Sequence, residues 1–347
     1  FRKAQELLFD RSRAIPLAEY SLKLDEDAPF LTRERDRQKF GPDTVVAAVE
    51  ERLQVAGLDN QPALGRLLFT FVKRDGKWLI ASDTPLDDLG LFSGRHPWDF
   101  GAVEAMTSEH FMLIVHAEDS VFAAELLSLA EQALPNVDGV YKRGWNKKVV
   151  IYVPATKREL ERIIDATFEV DPFVAFASAG VDRDEGWVST APRIILNRAN
   201  FLRHTAAVRR AIFAHELLHI ATRDASGPFV SAFVEEGFAQ MAETQSETSF
   251  RRAFRGSDVR LKFPEDVEFV TGGQRSIGLT YNRAHSAFAF IQETFGIDKL
   301  NEFYVELGSV RSDPGTTRHH LDASSRQTLG LSLPELEAKW AAYVTSG

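Results

Sequence analysis

The chain has 347 residues, a net charge of −9 and no cysteine. The acidic excess argues against a nucleic-acid-binding surface, which needs clustered Lys and Arg, and no run of eighteen apolar residues is present to span a membrane. The absence of cysteine excludes disulfides, iron-sulfur clusters and thiolate metal ligands, which leaves histidine and carboxylate side chains for metal binding. With 44% hydrophobic residues, the chain is long enough for two domains with separate cores.

The chain begins at Phe1 and not at Met, so we expect that a targeting segment has been removed. The overall layout resembles that of extracytoplasmic bacterial proteins, which implies a protein that is secreted or membrane-anchored through a removed N-terminal segment, with a cytoplasmic protein as the alternative.

The first ninety residues predict a small α+β domain. A helix is expected over about Arg2 to Ala14, whereas the alternating stretch Val45 to Val55 is compatible with a strand or a helix. Leu67 to Lys73 and Lys77 to Ser82 flank Asp75-Gly76, a dipeptide typical of a tight turn between two antiparallel strands. The charged segment from Arg33 to Lys39 predicts a solvated helix face.

Glycine and proline interrupt residues 86–99, which predicts a linker, and we place the boundary between domains 1–90 and 101–347 at residues 91–100. Strands and helices then alternate, and a mainly helical part is predicted over 280–347. The predicted strands are Phe111 to His116, Val149 to Val153, Phe173 to Ser178 and Arg193 to Asn197. The predicted helices are Ser120 to Leu134, a helix from Thr156 to about Phe168, Arg283 to Phe295 and Leu333 to Val344.

The motif His215-Glu216-Leu217-Leu218-His219 lies in a predicted helix over 205–222 that contains no Pro or Gly. Histidines four residues apart on a helix lie about 6 Å apart on one face, so both imidazoles can bind the same metal ion. Glu216 lies roughly 100° around the helix from His215, where it faces a metal-bound water and not the ion, as a general base does. The alternative is a pair of core histidines.

A catalytic zinc ion needs a third protein ligand beside an open position. Ser226-Gly227-Pro228 predicts the loop into a helix over 228–245, with Pro228 at its first position. Glu236 falls on the inner face of this helix, where an unpaired carboxylate would be costly to bury. Gln240 and Glu243 on the same helix are candidates to accept the second N–H of a ligating imidazole, or else belong to its solvated surface.

These residues together resemble the gluzincin metallopeptidases, the peptidase MA-like clan of thermolysin-like and aminopeptidase-like zinc enzymes. The resemblance rests on the HELLH motif, a gap of sixteen residues, and the segment Glu235-Glu236-Gly237-Phe238-Ala239. It implies that His215, His219 and Glu236, rather than Glu235, bind one Zn²⁺ per chain. It also implies a thermolysin-like zincin domain with a mixed sheet and a helical C-terminal subdomain.

The same resemblance extends to two further segments. Tyr281-Asn282-Arg283-Ala284 resembles the Tyr-x-Lys-Gly of aminopeptidase-like gluzincins, which implies that Tyr281 stabilises the tetrahedral oxyanion, unless it is a core or capping tyrosine. His285 could instead take this role, as a histidine does in thermolysin-like enzymes. In gluzincins an edge strand precedes the zinc helix and pairs with extended substrate, which makes candidates of Ile194, Ile195, Leu196 and Asn197; the alternative is an ordinary buried strand.

The segment from Phe71 to Ala81 resembles the closing strands of nuclear-transport-factor-2-like (NTF2-like) domains, which are cone-shaped α+β folds with a curved antiparallel sheet. Such domains bind ligands, dimerise or catalyse, so this resemblance assigns no role. The predicted fold class is therefore α+β, with an NTF2-like domain followed by the zincin domain.

The sequence thus predicts a zinc-dependent metallopeptidase that cleaves a peptide or protein substrate with a zinc-activated water and Glu216 as general base. Gly101-Ala102-Val103-Glu104-Ala105 lacks the Met and Asn of the Gly-x-Met-Glu-Asn with which zinc aminopeptidases hold a free amine, which favours an endopeptidase. Two alternatives remain: a catalytically silent peptidase fold that acts through its N-terminal domain as a binding or regulatory module, and a small-ligand-binding protein whose function lies in the first ninety residues. No pattern specifies an oligomeric state.

Overall fold

The computed structural model describes residues 2–182, 187–243 and 261–345, apart from 312 and 314, together with residue 254. It is an α+β protein, as predicted. Residue contacts divide the chain into two compact units. The first, here called the sheet unit, comprises residues 1–128, 148–180 and 190–203, and the second, the helical unit, comprises 129–147, 181–189 and 204–347. The boundary expected at residues 91–100 stays a prediction.

The N-terminal sheet is antiparallel, with its strands in the order β1-β2-β3-β4. Its elements are α1 (Arg2–Ser12), β1 (Leu17–Leu24), α2 (Glu34–Phe40), β2 (Thr44–Val55), β3 (Ala63–Arg74) and β4 (Lys77–Ser82). The ambiguous stretch Val45 to Val55 is a strand because it pairs with both β1 and β3. The predicted turn is confirmed: Asp75 and Gly76 both have positive φ, 49° and 74°, as a tight hairpin turn between twisted strands requires.

The second sheet has the strand order β5-β6-β7-β9-β8. Its strands are β5 (Val103–Thr107), β6 (Phe111–His116), β7 (Val149–Val153), β8 (Ala175–Asp182) and β9 (Val188–Leu196), and the helices near them are α3 (Pro97–Phe100), α4 (Ala123–Val140), α5 (Lys157–Ile163) and α6 (Arg198–Phe201). β6, β7 and β9 run parallel, so their carboxyl ends meet at one edge of the sheet. The helix expected to reach Phe168 ends at Ile163, because Asp165 adopts the left-handed conformation, with φ 48°.

The position of β9 contradicts one expectation. β9 lies between β7 and β8, so it is not the edge strand expected to pair with substrate. The side chains of Ile194, Ile195 and Leu196 are buried, and the Asn197 side chain donates to the carbonyl oxygens of Val170 and Phe173 at 3.2 and 3.0 Å. The predicted substrate strand is therefore a central, buried strand, because long-range pairing with β8 covers the edge that the sequence left open.

Within the sheet unit, one apolar core joins the two sheets. Leu53 and Val55 of β2 pack in the same buried cluster as Ile114 of β6 and Tyr152 of β7. A buried ion pair lies at the same junction: Arg193 Nη1 and Nη2 donate to the two carboxylate oxygens of Asp59 at 2.5 and 2.6 Å, and its Nε donates to Tyr152. A bidentate pair satisfies both charges in a place where neither meets water.

The helical unit confirms the expected helical C-terminal part. It contains α7 (Ala206–Thr222), α8 (Ala232–Glu243), α9 (Gln274–Phe295), α10 (Ile297–Ser309), α11 (Thr317–Leu329) and α12 (Leu333–Thr345). α8 begins four residues later than expected, so Pro228 lies before it; the Ala232 N–H is capped by the Asp266 carboxylate at 2.9 Å. Residues 244–245 of the predicted helix lie outside the described residues. Across the described part of the chain, no helix is both long and apolar enough to cross a membrane.

Candidate metal and catalytic site

The HELLH motif occupies the middle of α7. Thr205 caps this helix, its side chain accepting from the N–H of Val208, and one face of the helix is buried in the core of the helical unit. His215 and His219 leave 12% and 21% of their side chains exposed, so they lie at the border between core and solvent. The arrangement follows from the helical repeat, which brings residues i and i+4 to the same face.

The third predicted ligand meets these histidines from α8. The Nε2 atoms of His215 and His219 lie 3.2 Å apart. Glu236 Oε2 lies 3.2 Å from the first nitrogen and 3.7 Å from the second. The same Glu236 oxygen is buried and has no hydrogen-bond partner among the described residues, so the cluster of three atoms points at a common space.

The triangle fits a tetrahedral metal ion. Zinc binds nitrogen and oxygen ligands at about 2.0–2.1 Å, and two ligands of a tetrahedron are then about 3.3 Å apart. The observed separations of 3.2, 3.2 and 3.7 Å are close to that edge length. Two imidazoles and one carboxylate are also a donor set that zinc prefers.

Glu235, the neighbour of Glu236, points elsewhere. Its carboxylate accepts from the Ser226 hydroxyl at 2.5 Å, and that hydroxyl belongs to the connection between α7 and α8. Adjacent helix residues differ by about 100° in direction, so only one of the two glutamates can reach the histidines. Glu236 has that position.

The second ring nitrogen of His215 is held by the far end of α8. His215 Nδ1 lies 3.1 Å from Glu243 Oε2, and Gln240 Nε2 donates to the same carboxylate oxygen at 2.6 Å. Gln240 Nε2 also lies 3.3 Å from His215 Nδ1. An imidazole that donates its Nδ1–H to a carboxylate has its Nε2 free to accept a hydrogen bond or a metal ion, so Glu243 is placed to fix the orientation of the His215 ring. Both residues considered for this contact are therefore in reach of His215.

Two predicted residues on α9 also lie at the site. The Tyr281 hydroxyl forms a hydrogen bond with Glu236, and burial, with the nearby carboxylates, raises the pKa of Tyr281 so that it stays protonated. His285 is 4% exposed, and burial lowers its pKa to about 4, so it is neutral at physiological pH. The negative charge of Glu243 acts against this shift but does not overcome the effect of burial on the pKa of His285.

Glu216 is buried beside the ligands, with 8% of its surface exposed. Burial raises its pKa, while the two histidines pull it down. Burial acts on Glu236 in the same sense, but His219 and His215 overcome it and leave the pKa of Glu236 well below its usual range. These two neighbouring carboxylates thus differ in protonation: Glu236 stays ionised, whereas Glu216 holds a proton more readily.

Close helix packing makes this meeting possible. A Cβ atom on Gly237 would lie 2.6 Å from the Phe288 ring and 3.1 Å from the Ala284 carbonyl oxygen, both on α9. Only glycine lets α8 approach α9 so closely that Glu236 reaches Tyr281. The close contact with α9 therefore explains why position 237, next to Glu236, is a glycine.

Support for Tyr281 comes from residues that the sequence analysis did not identify. Phe269 packs edge-on against the Tyr281 ring, with centroids 5.2 Å apart. Arg283, buried two residues further along α9, pairs with Glu268 at 2.5 Å and donates to the Lys262 carbonyl oxygen. The segment that carries Phe269 is thus fixed to α9. It has no helical or strand periodicity, so no signal in the sequence indicates this contact.

The comparisons with known proteins do not place the chain in a family. No protein-family model matches the chain, and no curated protein matches it. One solved structure to which it is similar is described as a functionally unknown conserved protein from Bacillus anthracis str. Ames. The two share 10% sequence identity at a TM-score of 0.40, over 98% of this chain and 76% of the other. A likeness at this level carries no argument.

Proposed function

We propose that this protein is a zinc-dependent metallopeptidase in which His215, His219 and Glu236 hold one zinc ion per chain. The observation that carries the proposal is the triangle of ligand atoms, with sides of 3.2, 3.2 and 3.7 Å. Peptide-bond hydrolysis is proposed because Glu216 and Tyr281 lie beside this triangle with the chemical properties that the reaction needs.

The bound zinc would act as a Lewis acid, making water easier to deprotonate near neutral pH and polarising the scissile carbonyl. Glu216 takes the proton from the attacking water and delivers it to the leaving amine; its raised pKa suits a carboxylate that must hold a proton in mid-reaction. Tyr281, kept protonated by its surroundings, donates its O–H to the oxygen that becomes negatively charged. Glu243 keeps His215 oriented throughout.

The substrate would be an internal bond of a peptide or protein. The sequence offers no close counterpart of the aminopeptidase motif that binds a free amine, so an endopeptidase accounts better for the residues present. The catalytically silent alternative has the same metal site, but in it Glu216 does not act as a general base and no peptide is cleaved.

The first experiment is elemental analysis of the purified full chain together with the variants His215→Ala and Glu216→Gln. We expect about one zinc per chain in the wild type and in Glu216→Gln, and loss of zinc in His215→Ala. Each protein is then incubated with a mixed fluorogenic peptide library. Cleavage is expected for the wild type alone.

Glu235→Gln is the matched control, because it removes one carboxylate from α8 that bonds to Ser226 and not to the histidines. It should keep both zinc and cleavage. Absence of zinc after reconstitution would contradict the metal site. Zinc without cleavage in the wild type would instead support the silent module, and cleavage by Glu216→Gln would remove Glu216 as the base.

A further inference from the structure

A cavity of about 290 Å³ lies in the sheet unit, at the carboxyl ends of the parallel strands β7 and β9. One part of its wall is the segment 154–157, which directly follows β7, and another is the segment 197–203, which follows β9. Open sheets with parallel strands bind ligands beyond the carboxyl ends of those strands, where the following loops converge. The cavity shares no residue with the metal cluster.

The wall of this cavity is held in place by side-chain amides. Asn200 Nδ2 donates to the carbonyl oxygens of Asp171 and Phe173 at 2.7 and 2.9 Å, and Asn197 donates to Phe173 as well. The Lys157 ammonium then ties the opposite side to the Asp171 carboxylate at 2.8 Å. The cavity is therefore shaped before any ligand enters, which lowers the entropic cost of binding.

The charged side chains of the lining are mostly basic. Lys157, Arg198 and Arg203 face a single acidic lining residue, Asp171. Lys157 is paired with Asp171, and Arg198 with the buried carboxylate of Asp119. Lys157 also pairs with Glu169 and Glu161 at 3.4 and 3.7 Å, whereas Arg203 forms no ion pair with any residue that the structure describes, so the charge of Arg203 is unpaired.

Arg198, the other arginine of the lining, already has a partner. Its Nε–H and the Oδ2 atom of Asp119, with which it is ion-paired, are both buried without a hydrogen-bond partner among the described residues, so this guanidinium is occupied by Asp119. Arg203 is therefore the lining arginine left for a ligand. A guanidinium pairs best with an oxyanion, because two parallel N–H groups match two oxygens of a carboxylate or phosphate.

We propose that this cavity binds a small organic anion that carries a phosphate or carboxylate group, with Arg203 as the recognising side chain. The volume suits a small metabolite and excludes a folded partner, since ligand pockets of drug size begin at about 300 Å³. The proposal is independent of the peptidase reaction.

The test uses the full chain carrying His215→Ala, so that added anions cannot bind at the metal cluster. Inorganic phosphate and malonate are titrated separately at constant ionic strength, with binding followed by calorimetry. We expect saturable binding of at least one anion with a Kd of about 1 mM or below. Adding Arg203→Gln should weaken it about tenfold, through the loss of one charge-assisted contact. Arg203 is exposed, so its replacement should leave the fold intact.

Arg158→Gln is the matched control, since Arg158 is exposed, follows Lys157 on α5 and lies outside the lining. It should leave the Kd unchanged. Saturation by phosphate alone supports a phosphorylated ligand, and saturation by malonate alone supports a carboxylate. Saturation by neither at about 20 mM overturns the proposal. It is also overturned if Arg203→Gln has no effect, or if Arg158→Gln weakens binding equally.

Discussion

Replacing Glu243 with alanine should weaken zinc binding without unfolding the protein. In the structure Glu243 Oε2 lies 3.1 Å from His215 Nδ1 and 2.6 Å from Gln240 Nε2. Alanine removes the acceptor of the imidazole N–H, so the ring is no longer fixed with Nε2 towards Glu236. Losing such an outer carboxylate typically lowers metal affinity by about 10- to 100-fold. This corresponds to about 1.4–2.7 kcal/mol of binding free energy.

The chemistry of the contact predicts an order among variants. Glu243→Gln keeps an oxygen that can accept from Nδ1 but loses the negative charge, so its affinity should lie between wild type and Glu243→Ala. Gln240→Ala leaves the carboxylate in place and should have the smallest effect of the three. Zinc affinity is measured by competition with a fluorescent chelator, and circular dichroism verifies the helix content of each variant.

Glu235→Gln provides the control for a general loss of charge on α8, because Glu235 bonds to Ser226. Its zinc affinity should stay within about twofold of wild type. The reasoning is refuted if Glu243→Ala folds normally and binds zinc as tightly as wild type. An equal loss in Glu235→Gln would show that charge, and not the contact with His215, decides the affinity.

Three further predictions concern other contacts. Tyr281→Phe should retain zinc and lower kcat by about 10²- to 10³-fold, the usual cost of one oxyanion donor, and unchanged kcat in a peptide-cleavage assay would exclude this role. The hydrogen bond from His116 to Glu159 raises the pKa of His116, so the stabilisation it gives is complete below the unfolded value of about 6.5 and is lost as pH rises through the higher folded value. Glu159→Gln should therefore cost about 2 kcal/mol in urea unfolding near pH 6 and less at higher pH, whereas a pH-independent cost would contradict this. Asp59→Asn should destabilise the protein by about 3–5 kcal/mol in the same assay, because Arg193 stays buried without its counter-charge; a cost below about 1 kcal/mol would contradict it.

The meeting of His215, His219 and Glu236 could be predicted from sequence because local geometry determines most of it. On a helix, a spacing of four residues places His215 and His219 on the same face. The inner face of the next helix contains Glu236 and not Glu235. The turn at Asp75-Gly76 is similarly local, since its backbone angles belong to those two residues. Each of these features depends on fewer than five consecutive residues or on one helical repeat.

Features that depend on distant parts of the chain were missed or misplaced. The placement of β9 as an edge strand failed because its neighbour β8 is identified only by pairing in three dimensions. Whether Gln240 and Glu243 contact His215 or belong to the solvated surface depends on how α8 packs against α7, and in the structure both lie near His215. The start of α9 at Gln274 was placed too late, since Gly278 interrupts the apparent helical pattern there.

The connection between α7 and α8 positions Glu236 of α8 relative to His215 and His219 of α7. Thr222, at the end of α7, accepts from the buried Tyr304 hydroxyl of α10 at 3.1 Å, and the Trp187 indole donates to the Ser226 carbonyl oxygen at 2.9 Å. A Cβ atom on Gly308 would lie 1.5 Å from the Ala225 carbonyl oxygen, so α10 touches this connection directly, backbone against backbone. The helices that carry the cluster are therefore held at their junction by Trp187, which precedes them in the chain, and by α10, which lies more than sixty positions further along. In the proposed enzyme, the C-terminal helices would contribute to zinc affinity without containing a ligand, because they hold the turn that brings Glu236 to the histidines.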